Sequence, residues 1–173
     1  MRLRDKKVLT VVDDTFEDLE LMYPILRLKE EGATVVVAGK ESKRTYHGKY
    51  GIPVQSDQSF AEVKVDEYDA LLIPGGFAPD KLRRYDEVLA FVRHFNQQQK
   101  IIGHICHAGW VLVSADVLEG VRVTSTPAIK DDLVNAGAEW VDQEVVIDGH
   151  IISSRKPADL PTYVKAIADH LVQ

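Results

Sequence analysis

Lys100–Ala115, KIIGHICHAGWVLVSA, decides the fold. Its first half carries a β-branched run, Ile101, Ile102 and Ile105, of the kind that lies buried in a parallel sheet. Its second half, with Trp110, Val111, Val113 and Ser114, suits a packed helix. Cys106, the only cysteine of the chain, falls where one hydrophobic period gives way to the other. A strand that turns sharply into a helix among small residues, here Gly103, Ala108 and Gly109, has the form of a nucleophile elbow with cysteine in place of serine. A thiol there meets unpaired backbone N–H groups and the positive end of a helix, both of which favour thiolate. Free cysteine also very often serves as a small buried hydrophobe, and this stretch alone leaves both roles open.

Outward from the elbow, apolar strands alternate with amphipathic helices. Lys7–Val12 reads as a buried first strand, followed by a helix carrying Phe16, Leu19, Tyr23 and Leu26 on one stripe, kinked or split by Pro24 and closed by Gly32. Thr34–Ala38 is a second strand, which completes a βαβ unit. Residues 41–59 read as a polar hairpin excursion outside the main sheet, and Asp69–Ile73 as the third core strand, ended by Pro74, Gly75 and Gly76. Helices are expected over Asp86–Gln98, Pro127–Ala136 and from Pro157 through Leu171, with a short strand at Val121–Thr124. Val141–Ile152 reads as a hairpin turning at Asp148 and Gly149 in a type I′ turn. This order implies a flavodoxin-like three-layer α/β/α sandwich with a mostly parallel sheet.

Composition narrows the function classes. A chain of 173 residues with 45% hydrophobic and 28% charged content fits one domain, residues 1–173, that needs neither disulfide nor metal to hold it. A single cysteine suits a reducing cytosol, and the basic cluster after Met1 precedes an apolar run too short for a signal peptide or membrane span, so the expectation is a cytoplasmic protein. A net charge of −6 with interspersed basic residues excludes a nucleic-acid footprint.

Three segments end together at the carboxyl edge of such a sheet, where sites form: Asp13–Glu17, Pro74–Pro79, and Cys106 with His107. The first, DDTFEDLE, offers several carboxylates, and periodicity does not say which one faces the cysteine. They equally suit helix capping and dipole complementation. Pro74-Gly75-Gly76 lets backbone N–H groups approach a ligand, as an oxyanion hole requires, or simply ends a strand. His104 and Cys106 alternate onto one face of a strand beside His107, but a further ligand is not evident, and neither a metal nor a cofactor is expected.

With these segments in place, the chain resembles the PfpI family of intracellular protease-like and deglycase-like proteins, related to the parkinsonism-associated deglycase and to class I glutamine amidotransferases. The resemblance is carried by FEDLEL at Phe16–Leu21, LLIPGGFAPD at Leu71–Asp80, ICH at Ile105–His107, IKDDLVNAGAEWVDQEVVIDG at Ile129–Gly149 and SSRKPADLP at Ser153–Pro161. It implies Cys106 as nucleophile, Glu17 as the carboxylate touching its sulfur, His107 as its neighbour in the site, and the N–H groups of Gly75, Gly76 and His107 as the oxyanion hole. Two departures stand out. The family often reads Cys-His-Gly-Pro where this chain has Cys106-His107-Ala108-Gly109, and protease-like members often carry glutamate, supplied across a subunit interface, where Asp80 stands.

The resemblance implies a homo-oligomer, dimer or hexamer, and a cysteine-dependent enzyme acting on reactive carbonyls such as methylglyoxal and glyoxal or on glycated proteins. In this reading a protonated Glu17 shares its proton with a Cys106 thiolate. The alternatives are an intracellular cysteine peptidase and a non-enzymatic redox sensor or chaperone in which Cys106 is oxidised.

Overall fold

A strand apolar at every position must be covered on both faces, and the chain obliges by placing helices on either side of one sheet. The computed structural model describes all residues, Met1–Gln173. The first half comprises β1 (Lys7–Val11), α1 (Asp18–Glu30), β2 (Thr34–Gly39), β3 (Thr45–His47), β4 (Pro53–Gln55) and β5 (Gln58–Ser59). The centre comprises β6 (Ala70–Ile73), α2 (Ala78–Leu82), α3 (Asp86–Gln97), β7 (Ile101–Ile105) and α4 (Gly109–Ala115). The remainder is β8 (Arg122–Val123), α5 (Lys130–Asn135), β9 (Glu139–Trp140), β10 (Val145–Asp148), β11 (Ile151–Ser154) and α6 (Leu160–Val172).

The main sheet runs β10-β11-β7-β6-β1-β2-β5. Only the edge strand β10 is antiparallel to its neighbour; the other pairings are parallel. Helices α1 and α6 pack together on one face, and α3 and α4 on the other, with α2 and α5 against α4. Every residue of β6 and β7 is buried, the apolar run of β7 being interrupted only by Gly103 and His104. Because β7, β6 and β1 are adjacent and parallel, the loops leaving Val11, Ile73 and Ile105 emerge side by side. That adjacency positions the site.

The excursion over residues 41–59 is a hairpin of β3 and β4, and β5 then returns to the sheet edge. Its turn is fastened from a distance: the buried Asp18 carboxylate accepts hydrogen bonds from Tyr50 N and Ile52 N, both at 2.9 Å. Gly48 is required there, since an added Cβ would lie 2.4 Å from that carboxylate.

Several local expectations are corrected. The buried face of α1 is Leu21, Pro24, Ile25 and Leu28, whereas Leu19 and Leu26 are 54% and 60% exposed and Phe16 precedes the helix. The stripe drawn from Phe16 was therefore out of phase, because the helix begins only at Asp18. Pro24 does not split α1, which runs unbroken to Glu30. Val121–Thr124 contributes only β8, which pairs with β9 outside the main sheet. The β10–β11 turn is centred on Gly149 and His150, and Gly149 alone has positive φ (57°), the pattern of type II′ rather than type I′.

Two fully buried polar side chains, Thr124 and His104, have no hydrogen-bond partner for their side-chain atoms. His104, on β7 between Ile73 and Ser153 of the neighbouring strands, is fully buried, with neither ring nitrogen hydrogen-bonded. Burial lowers its pKa from 6.5 to about 4.

Two outcomes are expected. Leu28→Ala lowers unfolding stability in urea by about 2–5 kcal/mol, while Leu26→Ala changes it by less than about 0.5 kcal/mol. Because the unfolded chain protonates His104 first, stability falls as pH drops from 6.5 to about 4, by about 3 kcal/mol from this residue. Denaturation across that window with His104→Leu lacks this contribution; an unchanged slope would place the acid sensitivity elsewhere.

Candidate active site

The site is assembled by two loops that lock together before the cysteine is added. Phe16 and Gly76 form an isolated antiparallel bridge. Glu17 N donates to Gly75 O at 3.1 Å, and Phe77 N donates to Thr15 O at 2.8 Å. This close approach is why Gly76 has no side chain: a Cβ would stand 2.4 Å from Glu17 N, and its φ is 76°.

Cys106 follows β7 at φ 61°, a left-handed conformation that non-glycine residues rarely adopt. A short 3₁₀ turn, Cys106–Ala108, leads into α4. The bend turns the sulfur toward the backbone N–H groups of Gly76 and His107, which favour its ionised form. His107 Nδ1 lies 3.3 Å from Sγ, and the imidazole meets the Trp110 ring edge-on, centroids 5.3 Å apart.

Of the carboxylates in DDTFEDLE, the one against the sulfur is Glu20, not Glu17. Glu17 caps α1: its Oε2 accepts from Glu20 N at 2.8 Å, and its extended backbone starts the helix. Glu20 sits in the first turn with Oε1 accepting from Gly75 N at 2.9 Å, while Oε2 is buried without a hydrogen-bond partner. A methyl added at Gly75 would lie 2.3 Å from Glu20 Oε1 and 2.7 Å from Cys106 Cβ, so the two groups flank a single point. The neighbouring carboxylates have other tasks. Asp13 accepts from the Tyr85 hydroxyl at 2.8 Å, Asp14 from His47 N at 3.0 Å, and Asp18 holds the 48–52 turn.

Gly75 also departs from expectation. Its N–H is already committed to Glu20, so the donors aimed at the sulfur are Gly76 and His107. Asp80, in the first turn of α2, is largely exposed and pairs with Arg84 at 3.4 Å; within the chain it makes no hydrogen bond to His107.

Electrostatics make the pocket proton-rich. Burial, then the neighbouring Glu17, push Glu20 up to about 8, so it holds its proton at neutral pH. Burial and then Glu20 push the Cys106 thiol up as well, against the Gly76 and His107 N–H groups. Two adjacent anions cannot both be held there. Burial lowers the His107 pKa, and Lys49 adds to this, leaving a neutral imidazole able to accept a proton from sulfur. Lys49, carried on the 48–52 turn, favours the anionic forms of Glu20 and Cys106 and the neutral form of His107.

Glu20 was hidden in the sequence among five acidic residues within eight positions. Only the cap at Glu17, which fixes where the helix begins, and the Gly75 contact single it out.

Known proteins are similar to this chain. A relative from Pyrococcus horikoshii named deglycase PH1704 is 46% identical over 159 residues, covering 92% of this chain and 95% of its own. A Bacillus subtilis relative, YraA, carries a provisional cysteine-protease name and is 40% identical over 158 residues, covering 91% of this chain and 94% of its own. Among solved structures, a two-domain protein of Anabaena variabilis with DJ-1/ThiJ/PfpI-like and ferritin-like domains matches with TM-score 0.94 and 40% identity over 96% of this chain. This chain spans 48% of that one. The DJ-1/PfpI family matches residues 6–170, and the chain belongs to that family.

Proposed function

We propose that this protein is a cysteine-dependent enzyme that acts on reactive α-oxoaldehydes such as methylglyoxal and glyoxal, and on their early adducts with protein amines, as a deglycase or glutathione-independent glyoxalase. The observation that carries this reading is a lone, half-buried thiol beside a carboxylic acid that keeps its proton at neutral pH. The name of the Pyrococcus horikoshii relative, deglycase, supports it.

The steps follow from the geometry. His107 Nδ1, 3.3 Å away, receives the thiol proton as sulfur bonds to the aldehyde carbon. Glu20 gives its proton to the developing oxyanion, which the Gly76 and His107 N–H groups hold. On a carbinolamine adduct, sulfur takes the same carbon while the C–N bond breaks, and the Glu20 proton goes to the departing amine. Both routes give one hemithioacetal. The Glu20 carboxylate then takes the hydrogen from the sulfur-bearing carbon and returns it to the adjacent carbonyl carbon, while the hydroxyl proton passes to that carbonyl's oxygen, so that an α-hydroxy thioester forms without net oxidation. Water cleaves the thioester, releasing the hydroxy acid and restoring the thiol.

Peptide hydrolysis is the second reading, supported by the Cys106–His107 contact and by the YraA name. Against it, Asp80 is engaged with Arg84 and His107 has no orienting carboxylate within the chain. A homo-oligomer, dimer or hexamer, belongs to the proposal, supported by the exposed apolar residues Leu19, Leu26, Tyr50 and Phe77.

Steady-state consumption of methylglyoxal without glutathione, with lactate measured as product, tests the reaction. Cys106→Ser abolishes turnover and Glu20→Gln lowers it by more than about 100-fold, whereas Glu17→Gln, which alters a helix cap, loses far less. Equal losses in the two glutamate variants would refute the assignment of Glu20 as proton donor. Turnover also declines as pH rises through about 8, where Glu20 gives up its proton. A profile that keeps rising past pH 9 would mean that thiolate formation, and not acid catalysis by Glu20, governs the rate.

A further inference from the structure

A cleft of about 340 Å³, lined by Arg83, Trp110, Val113, Asp132, Asn135 and Ala136, lies against the ring that touches His107. Its polar groups are held in place by the fold. Arg83 Nε donates to Ser114 Oγ at 2.9 Å, and the guanidinium carbon stands 5.3 Å from the Trp110 ring centre, so the terminal nitrogens of Arg83 are presented without a protein partner. Trp110 Nε1 donates to Asp132 Oδ2 at 2.7 Å, which fixes the indole and leaves Asp132 Oδ1 free to accept. Asn135 adds an amide that both donates and accepts. Val113, Ala136 and the indole supply an apolar wall.

This set is charge-balanced, with one cation and one anion at fixed positions. A small free anion meets Asp132, and a free cation meets Arg83. A peptide main chain offers carbonyl acceptors to Arg83 and Asn135 and N–H donors to Asp132, with no charge to be opposed. We infer that the cleft binds the main chain flanking a modified side chain that is being delivered to Cys106, and that it distinguishes adducts on polypeptides from adducts on free amino acids. The inference builds on the proposed substrate class, since it says how a protein-borne adduct would be held.

The probe is the stable hydroimidazolone that methylglyoxal forms with arginine, prepared as the blocked single residue and at the centre of a blocked pentapeptide with alanine at the other positions. Binding is read from the Trp110 indole N–H resonance, with that of Trp140 as internal control. The pentapeptide is expected to saturate the Trp110 shift with a Kd at least tenfold below that of the single residue. Arg83→Met and, independently, Asn135→Ala are expected to erase that preference while free methylglyoxal turnover is unchanged.

Equal affinity of the two probes, or a preference that survives in both variants, would overturn the inference. So would a Trp110 resonance that moves with protein concentration and is insensitive to peptide, because the cleft would then be covered by a second copy of the chain. Failure of the proposed reaction is read separately, as absent methylglyoxal turnover in the wild type.

Discussion

The close approach of residues 15–17 to residues 75–77 is the constraint on which the site depends. Backbone meets backbone there with no room for a Cβ at Gly76. One consequence is geometric: the Gly76 N–H is directed at the sulfur from a rigid, doubly bonded loop. The other concerns chemistry. Gly75, held in the same contact, commits its N–H to Glu20 and so sets the carboxyl against Cys106. Neither loop alone could orient these groups, and parallel pairing of β1 with β6 and of β6 with β7 brings both to the cysteine.

Much of this frame was legible from sequence because it rests on strong, redundant signals. The apolar runs at Lys7–Val12, Asp69–Ile73 and Ile101–Ile105 contain too few polar residues for anything but buried strands, and the cysteine lies where a strand period stops. What was not legible was phase. On α1, the helix starts at Asp18, two residues later than expected, so the buried Phe16 does not mark its inner face, and Leu21 and Leu28 are buried where Leu19 and Leu26 were expected. The same displacement explains the misplaced carboxylate: with the cap at Glu17, it is Glu20 that turns inward. Register decided which carboxyl group meets the sulfur.

The acidic segment after β1 shows how little local composition says about role. Five carboxylates in eight residues look like one patch of negative charge, yet they serve a tyrosine hydroxyl, a hairpin strand, a helix cap, a distant turn and the thiol. All five accept hydrogen bonds that organise the surrounding loops. Their density reflects the number of chain segments meeting at one sheet edge. Glu20 differs because its second oxygen is buried without a partner, and burial, with Glu17 beside it, is what makes it keep its proton.

The backbone at Cys106 has a further implication for how the sequence can drift. At φ 61° an L-residue carries a steric penalty that glycine escapes, worth about 1–2 kcal/mol. On conformational grounds, then, the elbow favours loss of its own thiol, and descendants of this fold released from chemical selection should tend toward glycine at this position. A cysteine retained there against that bias would mark a lineage in which the thiol is still in use.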